Sequence, residues 1–493
     1  MNTVQRIAKN TAVLLAATII SKVLSFLYVM YAARYLGAEG FGILSFALAF
    51  TGIFGVFSDL GLDSLTIREV ARDKSLAKKY LNNISVMKAI LVTITFALIA
   101  ILINLLGYPE QTTKVVYLVA LSIIFSAFSN MFNSIFQAYE KMEYQSVGHI
   151  LSSALLLLGA LFAISQDFSV VGFAAVYFLV SVIGLGYTFA VSAWKFVLPK
   201  IEVDWSFWKP TIKEALPFGL SGIFVNIYFW IDTVMLSLMV PNANEVIGWY
   251  NAAYRLVLVL LFIPSVYFSS VFPVMSRLFK TSEESLKFVF ERSFRYMAII
   301  AVPIGVGTTL LADKIIPLIF GLNFTPATIA LQILVWSTVL IFINSAFSHL
   351  FYSINKQTII TKVRAIIAII NVILNFLLIP RYSYIGASIA TLVSDLVTLL
   401  VMISILSSTE YRLSMSSIKD VSKVLISSIA VFVFIKYSNN INLFLIVIIS
   451  VFIYFVVLFI MKGLDKEDML IVKNLLTKKP MSKIKIGGYH GCK

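Results

Sequence analysis

The chain has 493 residues, 60% of them hydrophobic and only 13% charged, with a formal net charge of +15. That apolar excess excludes a soluble globular protein and places the chain among integral membrane proteins. The positive charge would suit nucleic acid only if the Lys and Arg gathered on one folded face, and their positions along the chain decide otherwise.

The opening MNTVQRIAKN carries the basic residues of a signal-peptide n-region. The apolar run from Thr11 is too long for one and lacks a small-x-small cleavage site, so it reads as an uncleaved first span. A membrane-crossing helix needs about 20 mostly apolar residues. By that measure about fourteen spans follow in order, at 11–36, 41–60, 83–107, 114–137, 146–166, 169–194, 213–240, 246–272, 294–312, 327–353, 360–380, 384–407, 418–436 and 440–461. Gly and Pro inside several of them point to kinked helices, and the short alternating segments of a lipid-facing barrel are missing. The fold class is therefore all-α and polytopic.

Two pieces read as lying on the membrane surface. TSEESLKFVFERSFRY (Thr281 to Tyr296) has Thr281 and Glu284 at capping-box spacing, with Leu286, Val289, Phe290 and Phe294 on one face. The tail after Met461 has a shorter amphipathic piece around Met469, Val472 and Leu476, followed by a basic end that can meet anionic lipid or simply be solvated.

The charges now orient the bundle. With an even number of helices, the connections on the far side hold Arg34, Lys114, Lys314, Arg381 and Lys436, while Lys22, Lys88 and Arg255 fall within spans. All the rest of the 39 lysines and arginines face the side of the termini. The positive-inside rule puts both termini in the cytoplasm and accounts for the basic balance without nucleic acid.

The sequence repeats itself. AEGFGILSFALAF aligns with ANEVIGWYNAAYRL at an offset of 206, pairing Glu39 with Glu245 and Gly42 with Gly248. NSIFQAYEKM aligns with SHLFYSINKQ at 215, and VVGFAAV with YIGASIA at 214. The polar stripe Ser122, Ser129 and Asn133 recurs as Ser337, Asn344 and Ser348 at the same 215. This predicts two six-helix lobes, 1–200 and 201–410, related by an axis along the membrane normal, then two added helices at 411–462 and a basic tail at 463–493. Two lobes around a cleft suit alternating access.

A charge at mid-bilayer costs roughly 2.5 to 3.5 kcal/mol on insertion scales, so each one asks for a reason. Lys22, Asp232, Arg255 and Asp395 qualify. Lys88 and Asp59 lie near span ends, where a long side chain can snorkel. Asp395 shares a helix face with Ser388, Thr391 and Thr398; Asp232 with Ser221 and Tyr228; Arg255 with Asn251 and Gly248. In one reading Asp232 and Arg255 neutralise each other and the small polar residues tie helices together. In the other, Lys22 and Arg255, with Asn251 and Tyr228, meet an anionic headgroup in a wet cleft, and Asp232 or Asp395 binds a coupling cation. The residues leave both open.

No covalent chemistry is indicated. There is no P-loop, no H-E-x-x-H, no G-x-S-x-G and no pair of acids on a sizeable outer loop. The three histidines, His149, His349 and His490, are scattered, so no metal site is expected. The one cysteine, Cys492, excludes a disulfide framework and a CaaX signal. No cofactor is implied.

YVMYAARYLGAEGFGILSFALAF with FSDLGLDSLTIREVAR, and later FWIDTVMLSLMVPNANEVIGWYNAAYRL, is similar to the polysaccharide-transporter branch of the multidrug/oligosaccharidyl-lipid/polysaccharide exporter superfamily, the Wzx-type flippases. The resemblance runs over nearly the whole chain. It implies a V-shaped bundle of fourteen helices in the cell membrane that moves a polyprenyl- or dolichyl-linked oligosaccharide to the outer leaflet. The partners implied are that glycolipid, membrane lipids and other polysaccharide assembly proteins. Cationic cavities are common in the family, and Lys22 and Arg255 are where that expectation falls. A cation-coupled exporter of small amphiphiles is the runner-up, although such exporters usually stop near twelve helices; a lipid II flippase ranks lower, and a membrane glycosyltransferase, ligase or polymerase is the enzyme alternative.

Overall fold

The computed structural model describes residues 3–438 and 441–463, without the side chains of residues 3–15, Ser221 and Ile418. The basic tail expected at 463–493 lies, beyond Gly463, outside the described residues. Almost everything described is helix. Among the described residues eleven helical stretches are long and apolar enough to cross a membrane, and the protein is a multi-pass membrane protein. Helix is the form these runs must take, because hydrocarbon offers no partner for a backbone N–H or C=O.

The first helix, α1 (Thr3–Gly55), leaves helical geometry at Gly37, where φ is 67°, so it is two helices joined at the polar break seen in the sequence. Glycine carries that positive φ without steric cost. After a 3-10 turn comes α2 (Leu62–Arg72), too short to span, which buries Leu62, Leu65 and Val70. Four long helices follow: α3 (Ala77–Leu105), α4 (Glu110–Ala138), α5 (Met142–Ser165) and α6 (Val170–Lys195).

In the second half α7 (Trp205–Met239) contains Pro210 and Pro217, and α8 (Ala243–Leu260) and α9 (Phe262–Thr281) divide the expected span 246–272 at Leu261. The surface helix expected at Thr281–Tyr296 is not separate. It forms the first turns of the 38-residue α10 (Glu283–Phe320), and the capping side chain is Ser282, whose Oγ accepts from the Ser285 N–H at 3.2 Å. Thr281 is the last residue of α9 and bonds back to the Arg277 carbonyl, which rules out the Thr281/Glu284 capping box. Of the expected apolar face Leu286, Phe290 and Phe294 are buried and Val289 is half-buried, while Arg295 of the opposite face is buried as well.

Then come α11 (Ala327–Ser353) and α12 (Gln357–Ser407), which breaks at Ser383 (φ 52°), three residues after Pro380. The last two are α13 (Met415–Tyr437) and α14 (Leu443–Ile460).

The aligned segments NSIFQAYEKM and SHLFYSINKQ end their helices identically. Glu140 and Asn355 both take left-handed backbone, at φ 57° and 59°, and the Lys141 and Lys356 N–H groups reach back to the Phe136 and Phe351 carbonyls, both at 2.8 Å. This is the Schellman pattern, which satisfies carbonyls the helix end would otherwise orphan.

One apolar cluster joins the two halves, bringing Phe41, Phe46 and Phe50 of α1 together with Tyr250 of α8 and Phe324. Elsewhere the cores separate. One holds α2, α3 and α4 with Trp208 and Ala215 of α7, and the other holds α9 to α14.

Candidate functional site

Asp232 is buried where α7, α8 and α12 meet. Tyr250 Oη donates to its Oδ2 at 2.5 Å, Thr391 Oγ1 to the same oxygen at 2.6 Å, and Asn375 Nδ2 to Oδ1 at 2.6 Å. Hydrogen bonds to a carboxylate are stronger than neutral ones, and three of them can hold a charge away from water. Arg255 is not among the partners. Its guanidinium lies 5.8 Å from the centre of the Trp230 ring, and among the described residues it has no acidic partner. An Asp232 and Arg255 pair, one of the two readings the sequence left open, is thus replaced by a neutral hydroxyl and amide shell. Asn371, one turn before Asn375, completes it, since its Oδ1 accepts from Asn375 Nδ2 at 3.1 Å. Asn375 Oδ1 and Asn371 Nδ2 are buried without partners. Turning both amides over would set their oxygens beside the carboxylate, an all-oxygen set of the kind hard cations prefer.

Asp395 sits further along α12. It accepts from Tyr228 Oη at 2.7 Å and from Ser337 Oγ, and its own backbone carbonyl takes Asn344 Nδ2 at 3.2 Å. It borders a cavity of about 270 Å³ with Tyr228, Asn344, Ser348 and Thr398. The stripes read from the sequence therefore converge. The same wall holds His349, named in the sequence only in setting aside a metal site, and Arg364, which sequence reasoning passed over because it lies within two turns of the start of α12 and resembles an ordinary surface charge.

A second polar cavity of about 250 Å³ lies in the first half between α4, α5 and α6. Serines and asparagines line it, including Ser122, Ser129 and Asn133 of the first-half stripe.

The remaining candidates scatter. Tyr228 reaches a cavity, as described. Asn251 does not: it is 1% exposed, its Nδ2 donates to Thr233 Oγ1 at 3.1 Å and to the Ile247 carbonyl at 3.0 Å, and it seals the seam between α7 and α8. Lys22 is exposed on α1 beside Ile19, Ile20 and Val23, with no ion pair among the described residues. The face shared by Asp232 and Ser221 cannot be followed to Ser221, whose side chain lies outside the described residues.

Lys88 does not snorkel. It is fully buried, 3.0 Å from Asp59 and 2.7 Å from Asp63, and donates to the Ala127 carbonyl at 3.0 Å. Asp59 also accepts from the Gly61 and Asp63 N–H groups, both at 3.0 Å, and so shapes the entry to α2. One ammonium between two carboxylates holds the end of α1, the start of α2 and the middle of α3 together.

The halves touch at the end where Gly37 bends α1. A β-carbon on Gly42 would lie 1.7 Å from the Asn244 carbonyl oxygen, and one on Gly248 2.1 Å from that of Ala38. Arg34 caps the C-terminus of α10 by donating to the Ile319 carbonyl at 2.8 Å and to that of Leu318, and Tyr108 and Ser237 share a hydrogen bond of 2.7 Å. At the opposite end α7 is held by ion pairs, Arg68 of α2 with Glu214 and Lys79 with Asp204 at 3.1 Å, and by a close backbone crossing, where a β-carbon on Gly61 would lie 2.4 Å from the Ala215 carbonyl oxygen.

A Haloferax volcanii protein named probable low-salt glycan biosynthesis flippase Agl15 is 23% identical over 79% of this chain and 81% of its own. A Staphylococcus aureus protein named capsular polysaccharide biosynthesis protein CapF is 26% identical over 80% of this chain and 97% of its own. Among solved structures, the lipid II flippase MurJ in an inward closed conformation aligns over 94% of this chain and 99% of its own, with a TM-score of 0.73 at 16% identity, which shows a common fold. A family model described as polysaccharide biosynthesis protein matches residues 7–279, more than half of the chain, and the protein belongs to that family.

Proposed function

We propose that the protein is a flippase that carries lipid-linked oligosaccharide units, on a polyprenyl or dolichyl phosphate or pyrophosphate, from the cytoplasmic to the outer leaflet of the cell membrane. It works by alternating access and makes or breaks no covalent bond. The observation that carries the reading is the pair of cavities, each with several polar side chains in its wall, inside a bundle whose halves are packed together at one end. A hydroxyl moved into hydrocarbon without a partner costs about 4 to 8 kcal/mol, so a sugar headgroup faces tens of kcal/mol unless a polar path replaces water. The glycan flippase and capsular polysaccharide names of its relatives agree with that cargo.

In this reading the bends at Gly37 and Ser383 are turns at the membrane surface and α13 also crosses, which makes fourteen spans with both termini in the cytoplasm. Two six-helix lobes, 1–200 and 201–410, rock about the cleft, and residues 411–462 add two helices. The Gly42 and Gly248 contact then closes the outer side. Asp232, with Asn371, Asn375 and Thr391, holds the coupling cation, while Lys22, Arg255 and Arg364 offer positive charge to the phosphate.

Purified protein in liposomes, given lipid-linked oligosaccharide, should expose the sugar to an external glycosidase faster than empty liposomes do. Equal rates would refute the reading. In cells, loss of the protein should trap the glycolipid in the inner leaflet, whereas loss of a polymerase or ligase leaves it exposed outside. Drug sensitivity with normal surface glycan would instead support the exporter of amphiphiles.

A further inference from the structure

The two cavities occupy equivalent places in the repeat. Adding 215 to Ser129 and Asn133 gives Asn344 and Ser348, and adding 215 to His149 gives Arg364. Adding 214 to Ser181 and Gly184 gives Asp395 and Thr398. In every pair the first residue lines the first-half cavity and the second lines the other. The walls have nevertheless diverged in charge. Where the second cavity has Asp395 and Arg364, the first has Ser181 and His149, and no Asp, Glu, Lys or Arg lines it.

We propose that the first-half cavity is a subsite for an uncharged sugar ring of the transported headgroup, while charge recognition is left to the rest of the cleft. The proposal rests on the flippase reading. Its chemistry follows from how the wall spends its hydrogen bonds. Ser122, Ser129 and Ser181 each donate to a carbonyl of their own helix, at 2.6, 3.1 and 2.7 Å, so their oxygens keep lone pairs free to accept. Asn130 and Asn133 supply amide N–H groups, and Asn133 Oδ1 is buried without a partner. Acceptors and donors interleaved in this way match a ring of hydroxyls, each of which both donates and accepts. The phenol of Tyr177 adds a flat wall to the cavity. A phosphate or carboxylate would find no cation on this wall and would enter at the cost of its hydration. The volume of about 250 Å³ falls just under the roughly 300–1,000 Å³ of drug-sized pockets. It therefore suits one or two rings, with the remainder of a longer glycan in the cleft.

The test uses the full-length protein in liposomes and two probes, farnesyl phosphate carrying one neutral hexose and farnesyl phosphate carrying the matching hexuronic acid. Wild type should move the hexose probe about tenfold faster. Asn133→Lys should reverse that preference, and Ser129→Val should abolish it while movement of the hexuronate probe is retained. Thr398→Val in the other cavity should leave the preference intact. If Asn133→Lys does not fold, Ser152→Lys on the same wall serves in its place. A wild type without preference, or a preference that survives the first-half variants, overturns the subsite alone. A wild type that moves neither probe overturns the flippase reading with it.

Discussion

Gly42 and Gly248 face one another across the crossing of α1 and α8, each leaving room for a carbonyl from the other helix: that of Asn244 for Gly42, that of Ala38 for Gly248. An offset of 206 converts Ala38 into Asn244 and Gly42 into Gly248, so the contact is self-complementary in the way a two-fold dimer interface is. Gly42→Ala or Gly248→Ala should force the helices apart. With Cys492 replaced, a disulfide between cysteines at positions 38 and 244 should form several-fold less in either variant, and transport should fall with protein levels unchanged. Gly40→Ala is the control, because its added carbon would meet only the Leu36 side chain of its own turn, at 3.1 Å. Unchanged cross-linking in Gly42→Ala would show that the crossing is not tight.

Asp232 gives a second prediction. A bound cation at 100 times its dissociation constant stabilises a fold by about 2.7 kcal/mol. Replacing choline chloride with sodium chloride should raise the melting temperature of wild type by a few degrees, and Asp232→Asn and Asn375→Leu should lose that gain. An undiminished gain in Asp232→Asn would remove it from the coupling site.

The Lys88 cluster should matter more to stability than its place near a helix end suggests. Lys88→Met leaves two half-buried carboxyl groups, 30% and 20% exposed, without their shared cation, and the cost should approach but not reach the roughly 3–5 kcal/mol of breaking a fully buried ion pair. Adding Asp59→Asn and Asp63→Asn to Lys88→Met should recover most of the loss in a thermal melt. If the triple variant is no better than Lys88→Met, the charges are not what the cluster is for.

The same cluster predicts a pH dependence. Burial pushes the Asp63 carboxyl up to about 7, with Lys88 pulling against it and Asp59 adding to it. Burial also works to raise Asp59, but Lys88 and the hydrogen bonds from Asp63 overcome it and leave that carboxyl below its usual range. A carboxyl raised in the folded state contributes stability that is complete below its unfolded pKa, about 4, and is lost as pH climbs through the folded value. Between pH 5 and pH 8 the wild-type melting temperature should therefore fall, and Asp63→Asn should flatten that slope. A slope unchanged in Asp63→Asn would assign it to another group.

The proposed cationic site is the last test. Lys22→Ala, Arg255→Ala and Arg364→Ala should each accumulate normally and slow glycolipid transport by about tenfold, which corresponds to 1.4 kcal/mol. Normal transport in all three would end the cationic-site idea.

Spans were legible because twenty apolar residues in a row have few alternatives, and the break at Gly37 because its glycine-rich surroundings announced it. The bend at Ser383 was bracketed by Pro380 and by Gly386, the repeat partner of Gly172. The eleven residues of α2 hid in a connection, being too short and too polar to register as a span. Partnerships were harder. Asp232 and Arg255 lie on consecutive helices, but consecutive helices do not fix which side chains meet, and the carboxylate took Tyr250 of α8 with Asn375 and Thr391 of α12 instead. Asn371 and Asn375, four apart in an apolar run, carried the signal of a polar face and went unread. For Lys88 the distance from the helix end was visible, whereas the convergence of Asp59 and Asp63 needs the fold.

The segment before α7 is not a slack tether. Asn82 holds the Lys200 N–H at 2.8 Å and the Glu202 carboxylate at 2.9 Å, Asn83 holds the Asp204 N–H and the Trp208 indole, and Trp208 sits in the first-half core. The opening turns of α7 thus travel as cargo of the first half, although the same helix carries Asp232 deep in the second. Gly219 is also packed on the first half, where a β-carbon would lie 2.6 Å from the Leu60 carbonyl oxygen, so any rocking of one half against the other would have to be taken up inside this one helix between Gly219 and Asp232. A hinge of that kind would be a stretch of backbone rather than a loop, running up to the very carboxylate that the proposed function gives to the cation.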